Sequence, residues 1–537
     1  LRLEIRMSRQ ENTEVLVIGA GLAGMSAALE ADKAGSEVII AVSSTLCSGS
    51  SFYPGTWGLG MVAPQDEEDK KNFVEVITEV GCGMNDIRLS EVLIDHIGED
   101  IEALEEMGVT FKKPETSAYD ETLIPCFDRK YRKWYGYLFE TAKPAFKDRI
   151  ESSAIKVLEH TEIFKIIPFK NHYLALAFWN GEVIGIAAKS VVIATGGIGG
   201  LYEHRLNTDD ITGAGQAMAF DLGCELVNVE FMQFIPGFIE PSYKTIINER
   251  ALKLAQILSK DGRIIIDDLE VLDERSGHGP FTTRLPSQKF DIEIFEEYLR
   301  TGEDKCVKMQ YKVSNMSQEG LMIRDYFKWL KEKKKVDASE DIFILPFMHA
   351  ANGGIKIDEK AATTVPGIFA AGEVTGGMHG ADRIGGLSTA NGLVFGKIAG
   401  REASKYAKKM DPVAAEEQSI NIDSIHIVEG HDAVDEIRKL MYRYGSIIRT
   451  EKGLECALEA IDAMEKQIRE GEECDLKQGL MVTHSILMAK ILLKSMLLRK
   501  ESRGSHYRKD YPEQSEDYDK ALIMFKDEKG EIGYKWR

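Results

Sequence analysis

VLVIGAGLAGMSAALEADKAGSEVIIAV, residues 15–42, decides how the rest of the chain is read. Four apolar residues lead into Gly19-Ala20-Gly21-Leu22-Ala23-Gly24, then a helix-compatible run, then a second apolar strand. Strand, tight turn, helix and strand in one short unit form the context that a dinucleotide fingerprint requires. Gly19 permits the sharp turn, Gly21 lets a pyrophosphate approach the backbone, and Gly24 lets the helix pack close to the strand. The unpaired N–H groups and partial positive charge at the helix start then hold the phosphates. An acidic residue about 20 positions on ordinarily grips the ribose. Here the second strand closes with Ala41-Val42-Ser43-Ser44, which supplies no carboxylate, so Ser43 or Ser44 is expected to bond the ribose instead.

With 537 residues, the chain is long enough for two or three domains and a large core. Its hydrophobic content of 44% and charged content of 29% are those of a globular protein. A net charge of −20 argues against a nucleic-acid partner, which would need a basic face. No apolar run approaches the ~18 residues that span a bilayer; the best stretch, 486–498, is interrupted by Lys490 and Lys494. The opening LRLEIRMSRQEN lacks the apolar segment of a signal peptide. The seven cysteines are scattered with no CxxC pair, the pattern of reduced thiols in a cytoplasmic protein, and they offer no iron–sulfur or zinc site.

After the nucleotide unit, residues 47–58 (CSGSSFYPGTWG) are rich in small residues and turn formers, a loop whose backbone can line a flat ligand. Residues 85–108 read as a helix with one polar face. EIFKIIPF, YLALAFW, EVIGIAA and SVVIATGG, separated by Asn171, Asn180-Gly181 and Lys189, read as four strands of a meander. The last runs into Thr195-Gly196-Gly197, a second glycine turn. Further on, PGIFAAGEV ends in Gly372-Glu373, which can present a carboxylate to ribose or ribitol hydroxyls. Gly385-Gly386 precede a helix expected over 388–408, whose N-terminus would stabilise negative charge beside a flat ring. Apolar residues at helical spacing over 438–444 and 453–470 predict helices, and the lysine run 331–335 reads as a solvated patch.

These motifs together resemble the flavoprotein family of fumarate reductase, succinate dehydrogenase and L-aspartate oxidase. The GAGLAG turn, the GSSFY loop, the ATGG turn, Thr212-Gly213-Ala214-Gly215 and Glu230-Phe231-Met232-Gln233-Phe234 occur in the family's order. So do His349-Ala350-Ala351-Asn352-Gly353-Gly354, the PGIFAAGE strand, His379-Gly380-Ala381-Asp382-Arg383-Ile384-Gly385-Gly386, and Glu501-Ser502-Arg503-Gly504-Ser505-His506-Tyr507-Arg508. The resemblance implies FAD, held by Gly19, Gly21, Gly24, Ser43, Ser44, Gly49, Ser50, Ser51, Thr195, Gly196, Gly197, Glu373, Gly385, Gly386 and Ser388. The loop near Phe52 has no histidine for the family's covalent flavin bond, so non-covalent FAD is expected. The implied fold is α/β: a Rossmann-type FAD-binding domain over 1–235 and 345–405, a capping α+β domain over 236–344, and a helical C-terminal domain over 406–537.

The resemblance also implies hydride transfer between flavin N5 and a C–C or C–N bond next to a carboxylate or carbonyl. Arg383 matches the family's substrate-carboxylate arginine, whose planar fork fits a carboxylate bidentately. His349 matches its substrate-binding histidine, Arg284 falls near its proton-transferring arginine, and Glu249 falls in its proton-relay region. Where dicarboxylate-specific members carry a histidine before Pro-Thr, this chain has Ile235-Pro236-Gly237. An apolar wall there disfavours a second carboxylate, because burying an unpartnered one costs several kcal/mol. The expected substrate therefore carries one carboxylate or carbonyl and an apolar remainder, and is not a simple dicarboxylate. Two alternatives stand beside this reading. One is L-aspartate oxidase itself. The other is the flavoprotein subunit of a succinate dehydrogenase/fumarate reductase-like or adenylylsulfate reductase-like complex, exchanging electrons with an external donor or acceptor protein.

Overall fold

The computed structural model describes residues 2–52, 59–112, 127–128, 130, 132–312, 319–411, 419–423, 431–470 and 476–537. Residues 53–58 of the small-residue loop lie outside this set.

The nucleotide unit folds as its sequence dictates. The strand Gln10–Ile18 leads through the glycine turn into the helix Leu22–Lys33 and out to the strand Val38–Ala41. The two strands pair in parallel, Val15 opposite Val38 and Ile18 opposite Ala41. They sit inside a seven-stranded sheet ordered Lys156–Leu158, Val38–Ala41, Gln10–Ile18, Glu182–Ile193, Tyr173–Trp179, Thr161–Pro168, with Ile368–Ala370 branching from Glu182–Ile193. Val15, Leu16 and Val17 are fully buried, and each such side chain contributes about 1.5–3 kcal/mol.

The meander differs from expectation in one respect. EVIGIAA and SVVI are one continuous strand, Glu182–Ile193, and Lys189 does not break it. Lys189 reaches Glu14 on the neighbouring strand, Nζ to Oε1 2.9 Å, so its charge is met within the sheet rather than marking a turn. Residues 182–188 of this strand pair antiparallel with Tyr173–Trp179 on one side, residues 185–193 run parallel to Gln10–Ile18 on the other, and residues 191–193 also pair with Ile368–Ala370. It thereby joins the meander to the nucleotide sheet.

The helix Leu387–Ala407 packs on Leu22–Lys33. Gly396 and Gly400 make the contact possible: a Cβ at either would fall 2.6 Å from Ala23 O and 2.0 Å from Ala27 O, respectively. The helix expected over 85–108 is Ile87–Glu106, N-capped by Asp86, whose carboxylate accepts from Arg88 N.

The capping region is built on a six-stranded antiparallel sheet in the order Thr245–Ile246, Met232–Glu240, Ile342–Ala351, Val307–Tyr311, Ala255–Ser259, Ile264–Ile266. The chain enters on Met232–Glu240 and leaves on Ile342–Ala351, which pair directly, Ile235 opposite Phe347. The expected seams at 235/236 and 344/345 therefore run through this strand pair.

C-terminal to 430 the chain forms the helices His431–Gly445, Glu451–Glu470 and Leu476–Leu498. Leu476–Leu498 meets the length and hydropathy of a membrane span, but 67% of its most apolar window is buried inside the protein. Lys490, which interrupts it, pairs with Asp462 at 2.6 Å and Glu465 at 3.0 Å on the adjacent helix. The helical reading of 406–537 is incomplete at the end. Leu522–Lys526 and Ile532–Trp536 form a hairpin, and Leu522–Lys526 pairs with Leu226–Val227 in a five-stranded sheet. The turn at Asp527-Glu528-Lys529-Gly530, with Gly530 at φ 84°, is the sequence signal for it.

Candidate functional site

A long cavity of about 640 Å³ runs from the end of the second nucleotide strand to the inner face of the capping sheet, within the range of cofactor and ligand pockets. Three helix N-termini open onto it. Gly21 caps Leu22–Lys33, Gly213 caps Ala214–Asp221 and Gly386 caps Leu387–Ala407. Each end presents unpaired N–H groups and a partial positive charge, so the cavity is a site for an extended anionic ligand.

The glycines show why no larger residue serves. Gly19 sits at φ 108°, and a Cβ there would lie 2.3 Å from Ala194 O. A Cβ on Gly24 would lie 2.0 Å from Gly19 O, which fixes its role as the contact between helix and strand; it does not itself border the cavity. Gly21 differs: a Cβ there would meet only Ser51 Oγ, at 3.7 Å, so its bareness leaves room for a ligand rather than for protein. Among the described residues, buried Ser50 Oγ, Thr195 Oγ1 and Asp210 Oδ1 have no protein hydrogen-bond partner, and all three residues line the cavity. A backbone cradle beneath a helix N-terminus, followed by unsatisfied polar atoms along the channel, fits FAD.

Of the expected cofactor residues, Gly19, Gly21, Ser43, Ser44, Gly49, Ser50, Ser51, Thr195, Gly196, Glu373, Gly385, Gly386 and Ser388 border the cavity. Gly197 stands behind it, where a Cβ would fall 2.3 Å from the Glu373 carboxylate. Glu373 accepts from Ala351 N, 3.0 Å to Oε1, and burial raises its pKa above the usual carboxylate range.

The expectation that no carboxylate reaches the end of the second strand is corrected by the structure. Asp210, 166 residues beyond Ser44, is folded back onto it, with Oδ2 3.3 Å from Ser44 Oγ and 3.4 Å from Ser48 Oγ. Local spacing holds no trace of this contact, because the tertiary fold makes it.

At the far end, Arg383, His349 and Glu249 border the same cavity. His349 lies on the strand Ile342–Ala351, and burial together with the Arg383 charge lowers its pKa to about 3. It is therefore neutral and presents one N–H donor and one acceptor. Arg383 Nη1 donates to Ile384 O at 3.3 Å, and Gln233 Nε2 donates to Arg383 O at 3.3 Å, which fixes the backbone of this turn. Glu249 opens a short 3₁₀ turn, Glu249–Leu254, that begins at Asn248.

Arg284 is not brought to the cavity wall. Its guanidinium lies over the Phe127 ring, 5.6 Å from the centroid, with Nη1 3.8 Å from Asp382 Oδ2. Asp382 in turn accepts from Thr282 Oγ1 at 2.6 Å. Complete burial raises its carboxyl pKa to about 7, against the opposing pull of Thr282 and Arg284. Ile235, 4% exposed, lines the cavity together with Pro236, Ile246 and Ile247.

The 501–508 motif has a structural place that its sequence does not announce. Arg449, Arg499, Arg503 and Arg508 are all buried, at 0–1% exposure. Arg499 pairs with Glu230 at 2.6 Å and Glu501 at 2.9 Å, and Arg503 pairs with Glu501 at 2.7 Å. Ser505 Oγ donates to Ala381 O at 2.8 Å, and Thr283 N donates to Gly504 O at 2.8 Å. This loop thus ties the Arg383 turn to the Arg284 segment of the capping region.

Residues 14–270 and 289–389 match the family model of an FAD binding domain, and 434–536 match that of the fumarate reductase flavoprotein C-term. An uncharacterized FAD-dependent oxidoreductase of Methanocaldococcus jannaschii is 30% identical over 95% of this chain and 96% of its own. One component of the CoM/CoB fumarate reductase of Methanothermobacter marburgensis is 27% identical over 95% and 96%. The L-aspartate oxidase of Yersinia pestis is 28% identical over 97% and 100%. In fold, the FrdA chain of E. coli quinol fumarate reductase superposes with a TM-score of 0.80 at 20% identity, over 98% of this chain and 97% of that one. The glycine cradle, the three converging helix ends and these likenesses agree: the chain belongs to the FAD-dependent oxidoreductase family of fumarate reductases, succinate dehydrogenase flavoproteins and L-aspartate oxidases.

Proposed function

We propose that this oxidoreductase acts on a substrate with one carboxylate or carbonyl and an apolar remainder. FAD, held non-covalently, supplies the hydride-transferring ring. In this reading Arg383 grips the carboxylate as a planar fork. Neutral His349 donates its N–H to the same group or to an activating carbonyl. Glu249 stands at the cavity wall as the proton-carrying group. Arg284, held one layer back by Asp382, acts through the Arg383 turn or swings inward when the cap closes.

The observation that carries the proposal is the buried Ile235 in the wall that also holds Arg383 and His349. Neither Ile235 nor its neighbours Pro236, Ile246 and Ile247 has a side-chain donor for a second carboxylate. Leaving one unpartnered there would cost several kcal/mol. Ile235→His restores a donor at this point, and should raise kcat/KM for succinate, fumarate or L-aspartate at least tenfold over the parent enzyme. If the parent already turns over one of these dicarboxylates rapidly and the variant does not improve it, the pocket reading fails.

An external electron carrier is part of the same proposal. The sequence carries no CxxC pair to hold a cluster of its own. The Methanothermobacter relative is named as one subunit of its reductase, which supports a partner protein as the electron donor or acceptor.

A further inference from the structure

The geometry points to Asp210 as the clamp on the adenosine ribose of FAD, taking the place of the acidic residue that the second nucleotide strand lacks. The assignment rests on the FAD reading of the cavity and on non-covalent binding.

With the pyrophosphate on the helix that starts at Leu22, the adenosine ribose falls beside the end of the neighbouring strand, Val38–Ala41. Ser43, Ser44, Ser48 and Asp210 line the cavity there. Among the described residues, three other carboxylates around this end are committed. Asp209 pairs with Arg205 at 3.0 Å and Lys244 at 3.1 Å. Glu162 pairs with Lys477 at 2.8 Å, and Glu159 accepts from Leu46 N at 2.9 Å. Asp210 forms no ion pair among the described residues.

Its two oxygens are unequal. Oδ2 is close to the hydroxyls of Ser44 and Ser48, at 3.3 and 3.4 Å, which fix the direction of the group. Oδ1 is buried without a protein partner among the described residues. A buried carboxylate oxygen needs a donor, and a bond to an ionised acceptor is among the stronger hydrogen bonds. The ribose diol offers two neutral O–H donors side by side. A phosphate at the same point would be repelled. Asp210 therefore selects a nucleotide with unmodified ribose hydroxyls and does for this chain what a strand-end acid does in other Rossmann units.

The test uses the full-length holoenzyme. FAD affinity is measured by flavin fluorescence after deflavination and reconstitution, for the parent, Asp210→Ala and Asp210→Asn. Asp210→Ala should weaken FAD about 10- to 100-fold and Asp210→Asn less, with circular dichroism unchanged. FMN has no adenosine ribose, so its affinity should not move. ADP should displace FAD from the parent better than 2′,3′-dideoxy-ADP, and the two should become equivalent on Asp210→Ala. An FAD affinity within twofold of the parent, or an equal loss for FMN, would overturn the assignment. Flavin released intact by urea separates that failure from failure of the non-covalent reading. Flavin that stays on the denatured chain would overturn both, since a tethered cofactor needs no ribose clamp to remain bound.

Discussion

The two ends of the cavity are built by opposite means. At the phosphate end the work is done by bare backbone: Gly19, Gly21 and Gly24 lie within six residues, Gly19 and Gly24 packed against each other and against Ala194, and Gly21 left open to the cavity. At the far end it is done by long polar side chains. Arg383, His349, Glu249 and Arg284 come from four separate segments, and a fifth, the 501–508 loop with its buried arginines, ties two of them together. The first kind of site tolerates almost no change in shape. The second depends on every charge keeping its partner.

The contrast can be broken at either end. Arg499→Ala would leave buried Glu230 without its cation while Glu501 keeps Arg503, and removing one partner of a buried pair costs about 3–5 kcal/mol. A large fall in the urea midpoint is expected; a midpoint equal to the parent's would show that the arginine network carries no load. Arg383→Ala should cut kcat/KM by about two to three orders of magnitude, the scale of truncating a charge pair worth about 2–5 kcal/mol. The yellow cofactor should stay bound, as its absorption spectrum would show.

Gly24→Ala should do the reverse. The added methyl meets Gly19 O, so the helix start must retreat and FAD affinity should fall about tenfold or more, read by fluorescence titration. Loss of flavin in Arg383→Ala, or its full retention in Gly24→Ala, would erase the division between the two ends.

Asp382 sharpens the picture by a smaller effect. Burial raises its pKa to about 7 in the folded protein, above its unfolded value. The unfolded chain therefore releases this proton first. The stability the neutral carboxyl contributes is complete below the unfolded pKa and is lost as pH rises through about 7. Asp382→Asn keeps the shape and removes the titration. Its melting temperature relative to the parent should climb between about pH 4 and pH 7 and level off above; a constant difference would mean that Asp382 is ionised throughout.

The same division explains what the sequence could disclose. The nucleotide unit was legible because its geometry is encoded in consecutive residues, and the helices over 87–106 and 387–407 because their apolar spacing is local. Lys189 misled because a charge inside a strand is satisfied by Glu14, a residue of the neighbouring strand 175 positions away. Asp210 was invisible because only the tertiary fold sets it against Ser44. Arg383 and His349 could be named from the family resemblance, but the removal of Arg284 to a pair with Asp382 could not, since it depends on how the cap sits against the 379–386 turn. The C-terminal hairpin was missed although the Lys529-Gly530 turn between two apolar runs marks it.

The most direct test of the account is a rapid-mixing panel on the FAD-loaded enzyme. Oxidised enzyme is mixed with saturated carboxylates and reduced enzyme with their α,β-unsaturated counterparts, while flavin absorbance is followed. Monocarboxylates or carbonyl compounds with an apolar tail should bleach or reoxidise the flavin at least tenfold faster than succinate, fumarate or L-aspartate. Faster reaction with any of those three dicarboxylates would contradict it.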